Sequence, residues 1–481
     1  MAVASASRYT RRVHGSDRPG DPSPRPTGRL TTLRLLRDLP ALRRSPPDLF
    51  VAWRERYGDV VRIPLARPLM VQVHSPEDIR HVLVAAASRY RKAGGERSAA
   101  RLLGRGLLRS RGELYRRQRA LIEPSFYRPK LAAMAEAMAA ETRNVVAEWD
   151  EGELDLSREM SVLTLRVLVR ALFGADWRGE AATLVEDILV CQRLIHPTTL
   201  VVLPRWIPTP GRLRYERAIA RIDQLAAALI DGRRRTALEG DDLLTMLVRT
   251  RDAEGSGLSD KQLRDEVVGM LVAGHGTTAT GLSWMWHEVL KRPDLVARIR
   301  AEVDEVAAPD RLPGAELPRQ LELVEAAFRE ALRLHPPVWA IGRRAIADDR
   351  LPSGMEIPAG SIVNIFPYVV QRRADLFPEP LEFRPERFLR STRPTLTAGS
   401  FIPFGAGPRS CLGEGFAMLE ATIIVAEVVR RFDLQPRETG ALAAETLLVR
   451  RPRGGVWVRA RRRPATPTGP RPEASGPDGA W

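Results

Sequence analysis

Cysteine is almost missing from this chain: Cys191 and Cys411 are the two in 481 residues. They lie far apart with no framework spacing, which excludes a disulfide scaffold and favours a reducing, cytoplasmic setting. The first thirty residues lack the apolar core of a signal peptide or membrane anchor and hold mostly Arg, Ser, Pro and Gly. Basic–aromatic alternation and zinc-ligand spacing are missing as well. The formal net charge of +16 therefore carries no nucleic-acid reading, because its arginines are spread over the whole chain. No internal repeat is visible. Length alone would allow two or three domains.

What is present is mostly helix-period pattern. Residues 1–30, broken by Pro22, Pro24 and Pro26, read as disordered. A short helix from Leu49 to Tyr57 precedes two strands, Asp59–Pro64 and Leu69–His74. Ser75-Pro76 starts another helix, with a Ser cap, Pro at the first position and acids in the first turn. Residues 91–112, rich in Gly and Arg, read as loop. Helical patterns follow at Glu113–Ile122, Lys130–Trp149, Ser157–Phe173, Ala181–Leu194 and Arg212–Arg235. Between the last two, residues 195–211 carry four prolines and Leu200–Leu203, which suits an entry flap, a membrane-touching loop or a packed connection.

The longest helix starts at Ser259, where Ser-x-x-Gln262 makes a capping box, and runs to about Lys291. Val267 to Trp286 holds no formal charge, long enough for a membrane span. Interior glycines, threonines, His275 and the lack of a second such run favour a helix through the centre of the protein instead. Arg292-Pro293 ends it, and Asp294–Val306 and Leu321–Leu334 continue the helical series. Gly342–Val363 alternates as short strands do, Thr446–Val449 and Val456–Val458 suit sheet edges, and residues 460–481 read as disordered.

Three stretches carry chemistry. In Phe404-Gly-Ala-Gly-Pro-Arg-Ser-Cys411-Leu-Gly413, glycines leave one sulfur uncrowded, so backbone N–H groups can point at it. The apolar run after it reads as a helix whose positive end favours a thiolate, and Arg409 adds a charge two residues away. In Ala273-Gly274-His275-Gly276-Thr277-Thr278, two helix-interior glycines cost about 2 kcal/mol together, so something must compensate. Either a ligand approaches the backbone, with threonines bonding back to carbonyls, or two helices pack closely. Glu330-Ala-Leu-Arg333 sets opposite charges one turn apart, which alone reads as a surface salt bridge.

The Phe404–Gly413 decapeptide resembles the haem-binding loop of the cytochrome P450 family. Its six defining residues would coincide by chance in on the order of one chain in a hundred thousand. The resemblance, spanning roughly residues 45–460, implies a mainly α (α+β) fold: a large helical domain with a small β-rich region over residues 31–459. Haem b would lie between the central helix and the Cys loop, with Cys411 as axial thiolate, Phe404 beside the sulfur and Gly413 and Ala273 against the macrocycle. Arg409 would pair with a haem propionate. Tyr115 and Arg119, one turn apart on a helix otherwise readable as basic surface, resemble the aromatic–basic pair that reaches the propionates. Arg343 is the better candidate for a further propionate contact and Arg344 the runner-up, while Val338, Trp339 and Ile341 would line the pocket.

The central motif resembles the family's oxygen-activation segment, which makes Thr277 the residue that hydrogen-bonds bound oxygen and helps deliver protons, flanked by Gly274 and Thr278. Gly276 departs from the pattern, since an acid is usual there. Water or His275 could stand in for it. Phe383-Arg-Pro-Glu-Arg-Phe388 resembles the partner of the Glu-x-x-Arg pair, so Glu330, Arg333 and Arg387 are expected as a buried structural triad.

The implied activity is insertion of one atom of O2 into an apolar organic molecule, with a terpenoid weakly preferred. Electrons would come from NAD(P)H through a ferredoxin and its reductase. A basic face for an acidic carrier fits the charge, because steering speeds association. The protein would be a monomer without a transmembrane segment. Two alternatives remain: a peroxide-dependent oxygenase or non-oxidative isomerase or cyclase, motivated by Gly276, and a non-enzymatic haem sensor.

Overall fold

The computed structural model describes residues 28–64, 68–93, 99–177, 179, 181–195, 209–235, 242–250, 257–306, 317–392 and 395–464. Its longer helices are α1 (Thr32–Arg44), α2 (Pro46–Tyr57), α3 (Gly112–Ile122), α4 (Arg128–Ala147), α5 (Leu156–Phe173) and α6 (Ala181–Ile195). They continue as α7 (Pro210–Arg235), α8 (Asp260–Leu290), α9 (Pro293–Val306), α10 (Glu322–Leu334) and α11 (Glu414–Arg431). Helix α8 is the axis of the molecule. Its start is fixed by the reciprocal capping box of Ser259 and Gln262. From Leu263 to Leu290 it is buried almost throughout, packed on α5, α7 and α10.

The β-rich part is small. A six-stranded sheet runs β1 (Gly28–Arg29), β2 (Val60–Ile63), β3 (Met70–Val73), β9 (Ile362–Ile365), β6 (Ile341–Ala345) and β4 (Tyr90–Lys92). The β-branched residues Val71, Val73, Val363 and Ile365 fill its buried face. A three-stranded sheet joins β5 (Gly152–Asp155), β13 (Trp457–Arg462) and β10 (Phe432–Pro436). Two hairpins, β7 (Asp349–Arg350) with β8 (Glu356–Ile357) and β11 (Ala444–Thr446) with β12 (Arg450–Pro452), complete the set.

Several expectations move. Residues 28–30 are ordered: β1 pairs with β2, and Leu30 is fully buried with Phe50 and Trp53. At the other end β13 continues to Arg462, held by Phe432↔Arg462 pairing and by the Arg462 N–H on Glu151 at 2.6 Å. Within 91–112, β4 and a helical turn at Ala100–Leu103 replace plain loop, because Leu102 and Leu103 have a core to enter. Thr446–Val449 is mostly the turn between β11 and β12. Strand β5 and the helix Leu243–Arg249, capped by Asp242, went unread. Most of the 195–211 segment lies outside the described residues, as do 1–27 and 465–481. No described helix is long and apolar enough to cross a membrane.

Candidate active site

The Cys411 loop is closed by contacts that each need its sequence. The Cys411 N–H donates to the Phe404 carbonyl at 2.9 Å. Gly405 and Gly407 sit at φ 72° and 71°, and a Cβ on Gly407 would come within 1.9 Å of the Leu83 carbonyl oxygen. Phe404 packs on the main core. Helix α3 clamps the loop from outside: Tyr115 donates its hydroxyl to the Pro408 carbonyl at 2.8 Å, and Arg119 donates to the Ser410 carbonyl at 2.8 Å. Arg119 also reaches Tyr115 Oη at 3.1 Å and Glu123 at 2.9 Å.

The Cys411 side chain is exposed, yet it is closely surrounded by protein. It opens onto an internal chamber. Burial pushes its thiol up, opposed by the Gly413 backbone N–H and by Arg119, while Glu414 adds to the rise. The expected charge from Arg409 does not act here, because that guanidinium stacks 3.6 Å over the Tyr115 ring and donates to the Ser110 carbonyl. A cation at the sulfur is therefore what would make the thiolate the stable form. Cys191 offers no second ligand: it is fully buried in α6, and burial with Asp187 nearby pushes its thiol up to about 12.

Around the rim, positive charge accumulates. Arg343 is mostly buried and is pulled down to about 10 by desolvation and by Arg409. Lys92, opposite Arg343 on β4, is pulled down to about 8 by burial and by Arg409, Arg343, Arg109 and Arg111. Such convergence of cations is costly unless an anion completes it. The two propionates of a haem are such anions, so these residues fit the group. Lys92, Arg109 and Arg111 were missed in the sequence, where they were one more stretch of scattered basic residues. Arg344, by contrast, donates to the Gly360 carbonyl at 3.1 Å.

The opposite wall is α8. Along this buried helix the partly exposed positions Met270, Ala273, Gly274, Gly276 and Thr277 mark the side that faces open space. Thr277, Thr278 and Thr280 donate back to the carbonyls of Ala273, Gly274 and Gly276 at 2.9, 3.2 and 2.7 Å. The two glycines divide the competing explanations. A Cβ on Gly274 would meet Leu168 of α5 at 2.1 Å, which is close helix packing. At Gly276 the nearest atom would be Gln192 Nε2 at 3.6 Å, ordinary contact distance, so helix packing does not require this glycine, and it lies in a groove on the partly exposed side of α8. His275 is excluded from that groove. Its Nδ1 bonds the Leu271 carbonyl at 2.6 Å, and burial holds the ring neutral, down to about 4.

A buried acid was missed nearby. Glu420 of α11 is almost fully buried with both carboxyl oxygens lacking a hydrogen bond. Burial drives it far above the carboxylate range; the adjacent Thr278, whose own proton goes to Gly274, only eases this. Trp339 also departs from expectation: its Nε1 donates to the Leu447 carbonyl at 3.0 Å and its ring joins Phe50 and Phe366, away from the chamber. Ile341 does reach the loop, 3.9 Å from a Gly405 Cβ.

Glu330 and Arg333 are fully buried and meet at 2.7 Å, with Arg387 3.4 Å from Glu330. Arg333 further donates to the carbonyls of Gln371, Pro380 and Glu382. Gln371 carries the brace onward: its Nε2 bonds the Leu332 and Arg333 carbonyls, and its Oε1 accepts the Ile402 N–H at the root of the Cys loop.

Residues 24–457 match the family model described as Cytochrome P450. The chain belongs to the cytochrome P450 family. It is 36% identical over 398 residues to cyclooctat-9-en-7-ol 5-monooxygenase of Streptomyces melanosporofaciens, covering 81% of this chain and 85% of that protein. It is 31% identical over 390 residues to pentalenene oxygenase of Streptomyces avermitilis, covering 80% and 86%. The crystal structure of CYP175A1 from Thermus thermophillus superposes with a TM-score of 0.74 at 31% identity, covering 90% of this chain and all of that one. This cytochrome P450 is thus an oxidoreductase of the monooxygenase type whose cofactor is haem b on a cysteine thiolate, and its mainly α fold with small sheets is the family's.

Proposed function

We propose that Cys411 is the axial ligand of haem b and that this P450 hydroxylates a cyclic terpenoid. Haem held by a thiolate activates O2, because the ligand's electron density favours O–O cleavage. The chain's own residues supply the rest. Tyr115 and Arg119 fix the Cys loop, and Arg343, Arg409 and Lys92 receive the propionates. Ala273 and Gly276 leave room on α8, where Thr277 presents its hydroxyl oxygen and Thr278 lies behind it beside Glu420. The relatives named for cyclooctat-9-en-7-ol and pentalenene support a polycyclic hydrocarbon or its alcohol as the molecule bound. Electrons from NAD(P)H would arrive through an acidic ferredoxin steered by the chain's net positive charge.

The observation that carries the reading is the clamped Cys411 loop beside the converging, desolvated cations Lys92, Arg343 and Arg409. Cys411→Ala tests it. The parent, reduced and treated with carbon monoxide, should show the thiolate-ligated spectrum and the variant should lose it. Spectral titration with polycyclic terpene hydrocarbons should displace iron-bound water in the parent. Gly276 keeps one second reading open, a peroxide-driven oxygenase, and turnover with peroxide but not with reduced ferredoxin would favour it.

A further inference from the structure

Gly276 is the point where this chain departs from its family, and the structure puts a side chain over it. Gln192 of α6 is almost fully buried, and its Nε2 stands 3.6 Å from where a Cβ of residue 276 would lie. Its Oε1 is buried with no hydrogen-bond partner. An orphaned carboxamide oxygen in a protein interior is costly and marks a site where water or a ligand group belongs. The helix surface below is prepared for the same partner. Thr277, on the open side, spends its hydroxyl proton on the Ala273 carbonyl and keeps oxygen lone pairs to accept with. His275 is turned into the packing, and Glu420 lies beside Thr278 on the α11 side.

We infer that Gln192 replaces the missing acid at residue 276 as a positioning residue, its carboxamide orienting a water in the groove of α8 beside Thr277. A carboxamide donates at one end and accepts at the other, so it can fix a water's direction. It does not ionise. It therefore orders the groove without itself taking or giving a proton, which separates it from the carboxylate usual at this position. The inference deepens the proposed oxygenase reading and rests on it.

The test uses the haem-loaded enzyme with carbon monoxide as the probe, reading the infrared stretch of the ferrous adduct in H2O and in D2O. In the parent, the band should be shifted by a neighbouring hydrogen-bond donor and should respond to D2O. Gln192→Leu should move the band to the unbonded position, abolish the D2O response, and raise peroxide released per NAD(P)H consumed roughly tenfold, the effect of one missing hydrogen bond. Gln192→Glu should restore the band's D2O response and bring in a pH dependence that the parent lacks. Should the leucine variant fail to take up haem, Gln192→Met carries the same expectation with closer shape. An unchanged band and unchanged D2O response in a loaded leucine or methionine variant would overturn the inference. A parent with no thiolate-type carbon monoxide adduct would instead sink the oxygenase reading.

Discussion

Arg119 and Ser410 are joined by a charge-assisted hydrogen bond of 2.8 Å, from a guanidinium on α3 to a loop carbonyl one residue before Cys411. The arginine is largely buried, and its other bonds run to Tyr115 and Glu123. Arg119→Met should therefore loosen the loop by about 2 kcal/mol, the worth of one hydrogen bond to a charged group. The measurement is the rate of haem transfer to an apoprotein acceptor, which should rise by more than tenfold. Arg119→Lys should recover only part, because a single ammonium cannot repeat the fork.

Glu330 and Arg333 make a second prediction about non-additivity. Both are fully buried, and three backbone carbonyls already depend on the guanidinium. Glu330→Leu leaves that charge without its partner and should cost about 3–5 kcal/mol, enough to abolish haem-loaded protein. The double change Glu330→Leu with Arg333→Met should cost less than the single one. Urea unfolding of the apoproteins would show it; equal or additive losses would contradict the triad's electrostatic role.

How far the sequence revealed this site depends on the kind of residue. Cys411 and Thr277 stood out because each sits in a short stretch that resembles a family motif. The burial of the Glu330–Arg333 pair, whose spacing alone reads as a surface salt bridge, was expected only because Phe383–Phe388 resembles its partner. Lys92, Arg109 and Arg111 were not, since their meaning comes only from the β4–β6 pairing that brings Lys92 opposite Arg343. Gln192 and Glu420 lie inside ordinary apolar helix patterns, where one polar residue reads as a helix flank. From α2 onward the long helices were found within a few residues of their ends because caps and prolines mark them, whereas α1, with Pro40 in its interior, was not read. Strand β5 was missed because four residues without strong alternation give no period to read.

Histidine burial sets the acid limb of stability. His275 is held down to about 4, and His74 and His335 to about 3, chiefly by desolvation. Unfolded histidine titrates near 6.5, so between pH 6.5 and 4 the unfolded chain binds more protons and stability falls as pH is lowered. For His275 alone the loss at pH 5 is about 2 kcal/mol. His275→Asn should flatten thermal midpoints between pH 7 and 5 relative to the parent. Parallel curves would place the acid lability elsewhere.

Glu420 gives the opposite slope. Its carboxyl is kept far above the usual range by burial, while in the unfolded chain it ionises near 4.5. Raising pH above 4.5 therefore favours the unfolded state until the folded value is reached. Glu420→Gln, neutral and almost isosteric, should melt higher than the parent at pH 8 and close to it at pH 5. Equal midpoints at both values would show the acid to be paired in the folded state.

The segment before α3 is latched to α8 by two carboxylates. The Arg105 N–H donates to Asp265 at 2.8 Å and the Leu107 N–H to Glu266 at 2.9 Å. Gly104 and Gly106 permit this approach: a Cβ on Gly104 would fall 1.9 Å from the Asp265 carboxylate, and one on Gly106 2.5 Å from its carbonyl oxygen. Glu266 lies on the same face of α8 as Met270, Ala273 and Thr277, because steps of four, seven and eleven residues return to one side. The latched segment thus walls the chamber. Gly106→Ala should lift it, raising amide hydrogen exchange across residues 99–111 by at least about tenfold while α10 and α11 stay protected. Glu266→Gln keeps an acceptor for the Leu107 N–H and should leave that exchange near the parent's at pH 6. Since burial and Asp265 hold Glu266 up to about 7, ionisation opposes the closed latch. The parent's segment should accordingly loosen between pH 5 and 8, after correction for intrinsic exchange, and the glutamine variant should not.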